Sequence, residues 1–157
     1  METLEFQKKL NKASIMALYG NEFIYLGMPL SELNDILYNH YGVYGEQCNE
    51  GYCMFYNIVI KRSMKIHIEI LKQVIYKIDF IGDYEGTYNG IGVGNTISDL
   101  LEIRSDVYFD EEYILVGKYP YDFIIRINNY DNTIYSLEEV LNNKIIGITV
   151  ENKSLLK

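Results

Sequence analysis

A thirteen-residue segment of this chain occurs twice, 67 positions apart and without a gap. Ile24-Tyr25-Leu26-Gly27-Met28-Pro29-Leu30-Ser31-Glu32-Leu33-Asn34-Asp35-Ile36 aligns with Ile91-Gly92-Val93-Gly94-Asn95-Thr96-Ile97-Ser98-Asp99-Leu100-Leu101-Glu102-Ile103. Each copy reads as an extended entry, a glycine turn and an amphipathic helix. Gly27 and Gly94 supply backbone freedom that other residues lack. The acids fall in the first helical turns, where the helix dipole favours them. Thr96 and Asp99 are spaced for a capping box, and Pro29 holds the matching place in the first copy. The correspondence continues downstream: Ile75, Ile78 and Phe80 pair with Ile145, Ile148 and Val150 at an offset of 70. Two such units side by side present one sheet with helices on one face. The expected fold class is therefore α+β, with two tandem helix-plus-antiparallel-meander units and the helices packed on one face of the sheet. Residues 1–157 form one domain, with unit one over about 21–82 and unit two over about 88–151.

The segments between fill in this outline. An N-terminal helix is expected over about 3–18, from good helix formers with Gly20 as a stop. Phe23–Leu26 reads as a short strand. Leu30, Leu33, Ile36 and Leu37 form one apolar face of a helix that begins at Pro29 and ends at Gly42. Tyr52–Ile60 is β-prone. Met64–Ile70 alternates strictly, so Met64, Ile66, Ile68 and Ile70 share a face and Lys65, His67 and Glu69 point outward. Val74–Ile81 is a further strand, and the short links imply an antiparallel meander. In the second unit, strands are expected at Tyr113–Val116 and Tyr121–Ile127 and in a segment ending at Val150. Ser136–Leu141 reads as a helical turn.

Several functional classes are disfavoured. The chain has 157 residues, 48% of them hydrophobic, enough for a core. No apolar run approaches the roughly 20 residues of a membrane helix, and the first residues lack a signal-peptide pattern, so the expected location is the cytoplasm. Cys48 and Cys53 are too few for a disulfide framework and read as free thiols. With His40 and His67 they offer a zinc set only in principle, so no metal or other cofactor is expected. Gly90-Ile91-Gly92-Val93-Gly94 has Asn95 or Thr96 near the place where a dinucleotide fingerprint needs its third glycine, and it lacks the parallel βαβ unit of such a site. No nucleophile elbow, P-loop lysine or zinc-peptidase helix is present. The sequence reads as a non-enzyme.

Charge is distributed unevenly. The formal net charge is −8, and residues 83–112 hold eight acids (Asp83, Glu85, Asp99, Glu102, Asp106, Asp110, Glu111 and Glu112) against Arg104 alone. Phosphates would be repelled by such a surface, so nucleic acid is a poor partner. A basic protein is a good one, because a single-sign patch speeds encounter with its opposite. The acids also fit a surface that is merely solvated. The chain has 16 tyrosines and no tryptophan. A compositional bias accounts for that as readily as selection does, yet tyrosine is favoured at interfaces. The candidate partner-binding residues are Asp83, Tyr84, Glu85, Tyr88, Asp106, Tyr108, Asp110, Glu111, Glu112 and Tyr113.

The two glycine-turn-helix segments, Leu26–Leu33 and Val93–Leu100, followed by a meander, resemble the tandem architecture of the β-lactamase inhibitor protein and of small outer-membrane assembly lipoproteins. The junction Gly82-Asp83-Tyr84-Glu85-Gly86-Thr87-Tyr88-Asn89-Gly90-Ile91-Gly92-Val93-Gly94 resembles a segment of immunity proteins of contact-dependent growth inhibition systems. A lipobox cysteine and the inhibitor's disulfide spacing are both absent. The resemblance implies a cytosolic inhibitor that neutralises a cognate bacterial toxin by stoichiometric binding. The expected partner is a basic toxin domain of the nuclease class, with no direct contact to nucleic acid or membrane. A non-toxin assembly module and a small enzyme or ligand-binding domain are the alternatives.

Overall fold

The computed structural model describes residues 2–42, 55–69, 71–111, 113–131 and 133–156. Its helices are α1 (Glu2–Lys12), α2 (Leu30–Tyr41) and α3 (Ile97–Ile103). Its strands are β1 (Phe55–Ile60), β2 (Met64–Glu69), β3 (Val74–Ile81), β4 (Val107–Asp110), β5 (Tyr113–Val116), β6 (Phe123–Ile127) and β7 (Ile145–Glu151). Short 3-10 turns lie at Leu137–Val140 and Lys153–Leu156. The strands form a seven-stranded sheet in the order β1-β2-β3-β7-β6-β5-β4, every neighbouring pair antiparallel. The fold is thus mixed α+β.

Register explains where the core lies. Directly opposed residues share a face of a sheet. One row runs across all seven strands as Phe109, Ile114, Ile125, Ile148, Phe80, Met64 and Ile60. All of these are buried except Phe109, which is partly buried. Leu10 of α1, Leu33 and Leu37 of α2, and Ile97 and Leu100 of α3 belong to the same apolar cluster. The adjacent row, Tyr108, Leu115, Ile124, Thr149, Asp79, Lys65 and Val59, points the other way and carries no helix core residue.

The two glycine-turn segments make matching backbone bonds, one to β3 and the other to β7. Gly27 N donates to Ile75 O and Gly94 N to Ile145 O, both at 2.8 Å. Ile75 N returns a bond to Met28 O at 3.0 Å, and Ile145 N returns one to Asn95 O at 2.7 Å. Leu30 N bonds Gln73 O at 2.8 Å, and Ile97 N bonds Asn143 O at 3.2 Å. Within the turns, Asn21 N meets Ile24 O at 2.9 Å as Tyr88 N meets Ile91 O at 2.8 Å. Both glycines have positive φ, +88° and +100°, which is what the repeated turn requires of them. The capping box of α3 forms as its spacing predicts, Thr96 and Asp99 each accepting from the other's backbone N–H. Gly42 closes α2 in the left-handed conformation.

Several expected elements differ. The first helix stops at Lys12 rather than continuing to residue 18. Beyond it the backbone bonds elsewhere, Ile15 N to Thr87 O at 2.9 Å and Met16 N to Gly20 O at 2.7 Å, and Leu18 adopts a positive φ of 56°. Phe23–Leu26 is not a strand: the Asn21 carboxamide oxygen accepts from Phe23 N and Ile24 N at 2.9 and 2.8 Å and curls the segment into a turn. The strand expected from Tyr121 begins at Phe123, and β4 has no counterpart in the sequence reading. Residues 52–54 and Ile70 of the expected strands lie outside the described residues.

Candidate protein-docking surface

The acid-and-tyrosine stretch separates into three places. Tyr84 faces the interior and is 3% exposed. Its hydroxyl donates to Ala13 O at 2.5 Å and accepts from Asn21 Nδ2 at 3.0 Å, and its ring packs 4.6 Å from that of Phe80. The expectation that Tyr84 meets a partner is corrected accordingly: its hydroxyl is used to dock the segment after α1. Burial pushes the Tyr84 hydroxyl up to about 12. That folded value lies above the unfolded one, so the neutral hydroxyl stabilises the fold fully below about pH 10. The contribution is lost as pH rises through about 12. Tyr84→Phe strands two buried polar atoms and is expected to cost about 1–2 kcal/mol at neutral pH. It also flattens the alkaline decline, which urea unfolding at pH 8, 10 and 12 measures. A decline as steep as the wild type's contradicts this role.

Asp83 and Glu85, either side of Tyr84, are exposed. The Asp83 carbonyl accepts from Asn11 Nδ2 at 3.0 Å, and Glu85 lies 3.7 Å from Lys12 Nζ. They border a groove of about 400 Å³ against α1 that Lys8, Lys12 and Lys61 also line. The charge there is mixed rather than acidic.

Tyr88 and Asp106 converge on Arg104. The guanidinium donates to Asp106 from Nε at 2.7 Å and Nη2 at 2.6 Å, to Asp122 from Nη2 at 2.9 Å, and to the Tyr88 hydroxyl from Nη1 at 3.1 Å. Arg104's hydrogen bonds hold the Asp106 carboxyl below the usual carboxylate range. Tyr88 also packs on Phe123, ring centroids 4.7 Å apart. This network ties the junction, the end of α3, the start of β4 and the loop before β6.

Tyr108, Asp110, Glu111 and Tyr113 do come together, on the β4–β5 hairpin. Tyr108 is 52% and Tyr113 42% exposed, while Asp110 and Glu111 are exposed as well. The turn is held at a positive φ at Glu111, whose carbonyl accepts from the Tyr130 hydroxyl at 2.8 Å. Glu112 lies outside the described residues. Tyr108, Asp110 and Tyr113 project from the face opposite the helices, and β4 is an edge strand. The strand leading to Asp83 is four inter-strand spacings away, roughly 19 Å, so Asp83 and Glu85 form a separate locus.

The polar centre of this open face has no local sequence signature. His67, expected to be exposed, is 9% exposed and lies 2.9 Å through Nε2 from Asp79 Oδ2. Thr149 Oγ1 donates to Asp79 Oδ1 at 2.6 Å. Burial alone would raise the Asp79 carboxyl, but the hydrogen bonds from His67 and Thr149, with the nearby positive charges, hold it below the usual range. Glu69, also buried, caps the following turn by accepting from Leu71 N and Lys72 N. The outward residues of β2 are therefore interior in part, because the open face has its own polar packing. The repeated apolar alternation of β2 and β3 carried no sign of it; an Asp and a His diagonal to one another become visible only once register is known. His40 stacks on Phe6 between α1 and α2, ring centroids 3.7 Å apart. Among the described residues no group of three or more His, Cys, Asp or Glu is placed to hold a metal, and no helix is long and apolar enough to cross a membrane. Cys48 and Cys53 lie outside them.

No protein-family model matches the chain, and no curated protein matches it significantly. Among solved structures it is similar to the uncharacterized protein yfeY from Escherichia coli, with a TM-score of 0.55 and 16% identity over 90% of this chain and 99% of that one. At that identity the likeness is one of fold: a helix-covered antiparallel sheet of the α+β class.

Proposed function

We propose that the chain is an immunity protein of the cytoplasm that binds a basic bacterial toxin of the nuclease class and neutralises it stoichiometrically. The observation that carries this reading is the β4–β5 hairpin at one edge of the sheet, where Tyr108 and Tyr113, 52% and 42% exposed, stand among the carboxylates of Asp110 and Glu111. Exposed tyrosines give contact area at low entropic cost, and acids beside them favour a cationic partner. A nuclease offers such a partner, because its substrate channel is built to receive phosphates. The scaffold reads as a duplication, supported by the turn-to-strand hydrogen bonds that recur at offsets of 67 and 70 residues. On this reading the second unit is the specialised one: it holds the hairpin and most of the acidic excess.

Co-expression with the product of the adjacent upstream gene tests the proposal. That product is expected to arrest growth alone and to be harmless with this chain present. A product harmless alone, or lethal in both cases, rejects the reading; a stable complex with a partner neither basic nor toxic supports an assembly module instead. Replacing Asp110, Glu111 and Glu112 together by Ser is expected to slow association about tenfold at low salt and to flatten its salt dependence. Unchanged association kinetics would remove the hairpin from the interface.

A further inference from the structure

Arg126 projects from β6 onto the open face, in the same cross-strand row as Gly147 and Ile81. A β-carbon built on Gly147 would lie 2.9 Å from Arg126 Nη2, 3.1 Å from Nε and 3.4 Å from Cζ. One side of the guanidinium thus lies over the glycine, in space that any side chain there would fill. Among the described residues Arg126 has no hydrogen-bond or ion-pair partner, whereas Arg104 donates to two carboxylates and a tyrosine hydroxyl. Arg126 is partly buried. Continuing the Ile114–Ile125 register by one step sets Tyr113 next to it, with Asp110 beyond. Ile146, left unpaired at the register shift before Gly147, is 46% exposed.

We infer that Arg126, laid on Gly147, is the anchor that receives a carboxylate side chain of the partner protein. A guanidinium fork matches a carboxylate in two parallel hydrogen bonds and keeps its charge at all working pH. It is also, with tryptophan and tyrosine, among the side chains enriched at the energetic centre of interfaces. A phosphodiester strand would fit the fork equally, but Asp110 and Glu111 at the rim and the net charge of −8 repel a polyanion. An acidic residue set within a basic protein surface meets no such barrier. It is attracted by Arg126 while its basic neighbours meet the rim acids. This rests on the proposed function and adds to it a second requirement on the toxin: a carboxylate inside its cationic surface. Gly147 is the specificity-determining position, because it sets the depth at which the fork lies.

Two measurements on the full chain test this separately from the parent reading. In the first, the Arg126 Nε–H resonance is followed by NMR during titration with sodium benzoate, with sodium chloride at equal ionic strength as reference. Benzoate is expected to shift it saturably, with loss of the effect in Gly147→Val at unchanged melting temperature. A shift no larger than chloride's overturns the anchor, and so does a stronger response to inorganic phosphate or a single-stranded oligonucleotide. In the second, binding to the product of the adjacent upstream gene is measured by surface plasmon resonance. Arg126→Ala is expected to weaken the complex at least ~30-fold, mostly through faster dissociation, with Arg126→Lys recovering little of it. Wild-type affinity in Arg126→Ala overturns the inference while leaving the toxin reading intact. No binding by the wild type, with the benzoate shift present, defeats the toxin reading alone.

Discussion

Replacing His67 by alanine is expected to cost about 3–5 kcal/mol of stability at neutral pH, although the residue lies on the face the helices do not cover. The Asp79 carboxyl is 5% exposed, and without the imidazole it retains the Thr149 hydroxyl as its side-chain hydrogen-bond donor. A buried carboxylate deprived of its partner is the expensive case, because desolvation is no longer offset. The pH dependence carries the signature. In the wild type the Asp79 carboxyl is depressed, so its stabilisation is present above the unfolded value of about 3.9 and is lost as pH falls through the lower, folded value. In His67→Ala burial dominates and raises it, so the penalty is largest at neutral pH and shrinks as pH falls toward 4. Urea unfolding of both proteins at pH 7 and pH 4.5 measures this. A penalty equal at the two pH values contradicts this role for the Asp79 carboxyl. Replacing His67, Asp79 and Thr149 together by Leu, Leu and Val is expected to recover most of the loss, since no polar atom of the trio is then left alone.

Gly86→Ala is expected to destabilise by about 3 kcal/mol or more. Its β-carbon would lie 2.0 Å from the Ala13 carbonyl oxygen and 2.6 Å from Cε1 of Tyr84. The first is backbone and the second belongs to a buried ring, so neither gives way cheaply. The same glycine donates to Asn11 O at 3.1 Å, as Glu85 N does at 3.0 Å. The substitution therefore pries the end of α1 from the junction. Gly90, four residues on, is the control: a β-carbon there meets nothing within 4 Å, and φ is +87°. Gly90→Ala bears only the conformational cost of about 1 kcal/mol. Urea unfolding gives both costs, and hydrogen exchange at Ile15 and Gly86 is expected to accelerate in Gly86→Ala ahead of global unfolding. Equal costs for the two alanines would show that the junction has slack the structure does not.

What local sequence could reveal follows from which partners each segment uses. The α2 face, the α3 capping box, Gly42, β2 and β3 were legible because their determinants lie within a few residues: apolar spacing, a Thr-to-Asp interval, strict alternation. The turns at Gly27 and Gly94 were legible because each glycine directly precedes a helix-forming run, and both have positive φ. The end of α1 was not, since Ile15 bonds Thr87 across more than 70 residues, and propensity has no access to that. Strand β4 is four residues long with a single fully buried side chain, too little pattern to register. Of the acid-and-tyrosine stretch, composition alone could not sort Tyr84 from Tyr108. Both sit among acids, and only the tertiary path of the junction sends one into the core and leaves the other 52% exposed. Arg126 has no local signature, because its setting depends on a glycine 21 residues away that packing places beneath it.

Neutralisation of the toxin, as proposed above, is stoichiometric. The most direct measurement is the nuclease activity of the purified product of the adjacent upstream gene, titrated with this chain at toxin concentrations well above the dissociation constant. The account predicts a linear fall that reaches zero at one equivalent and stays there. Full activity beyond one equivalent, or inactivation by a small fraction of an equivalent, would contradict it.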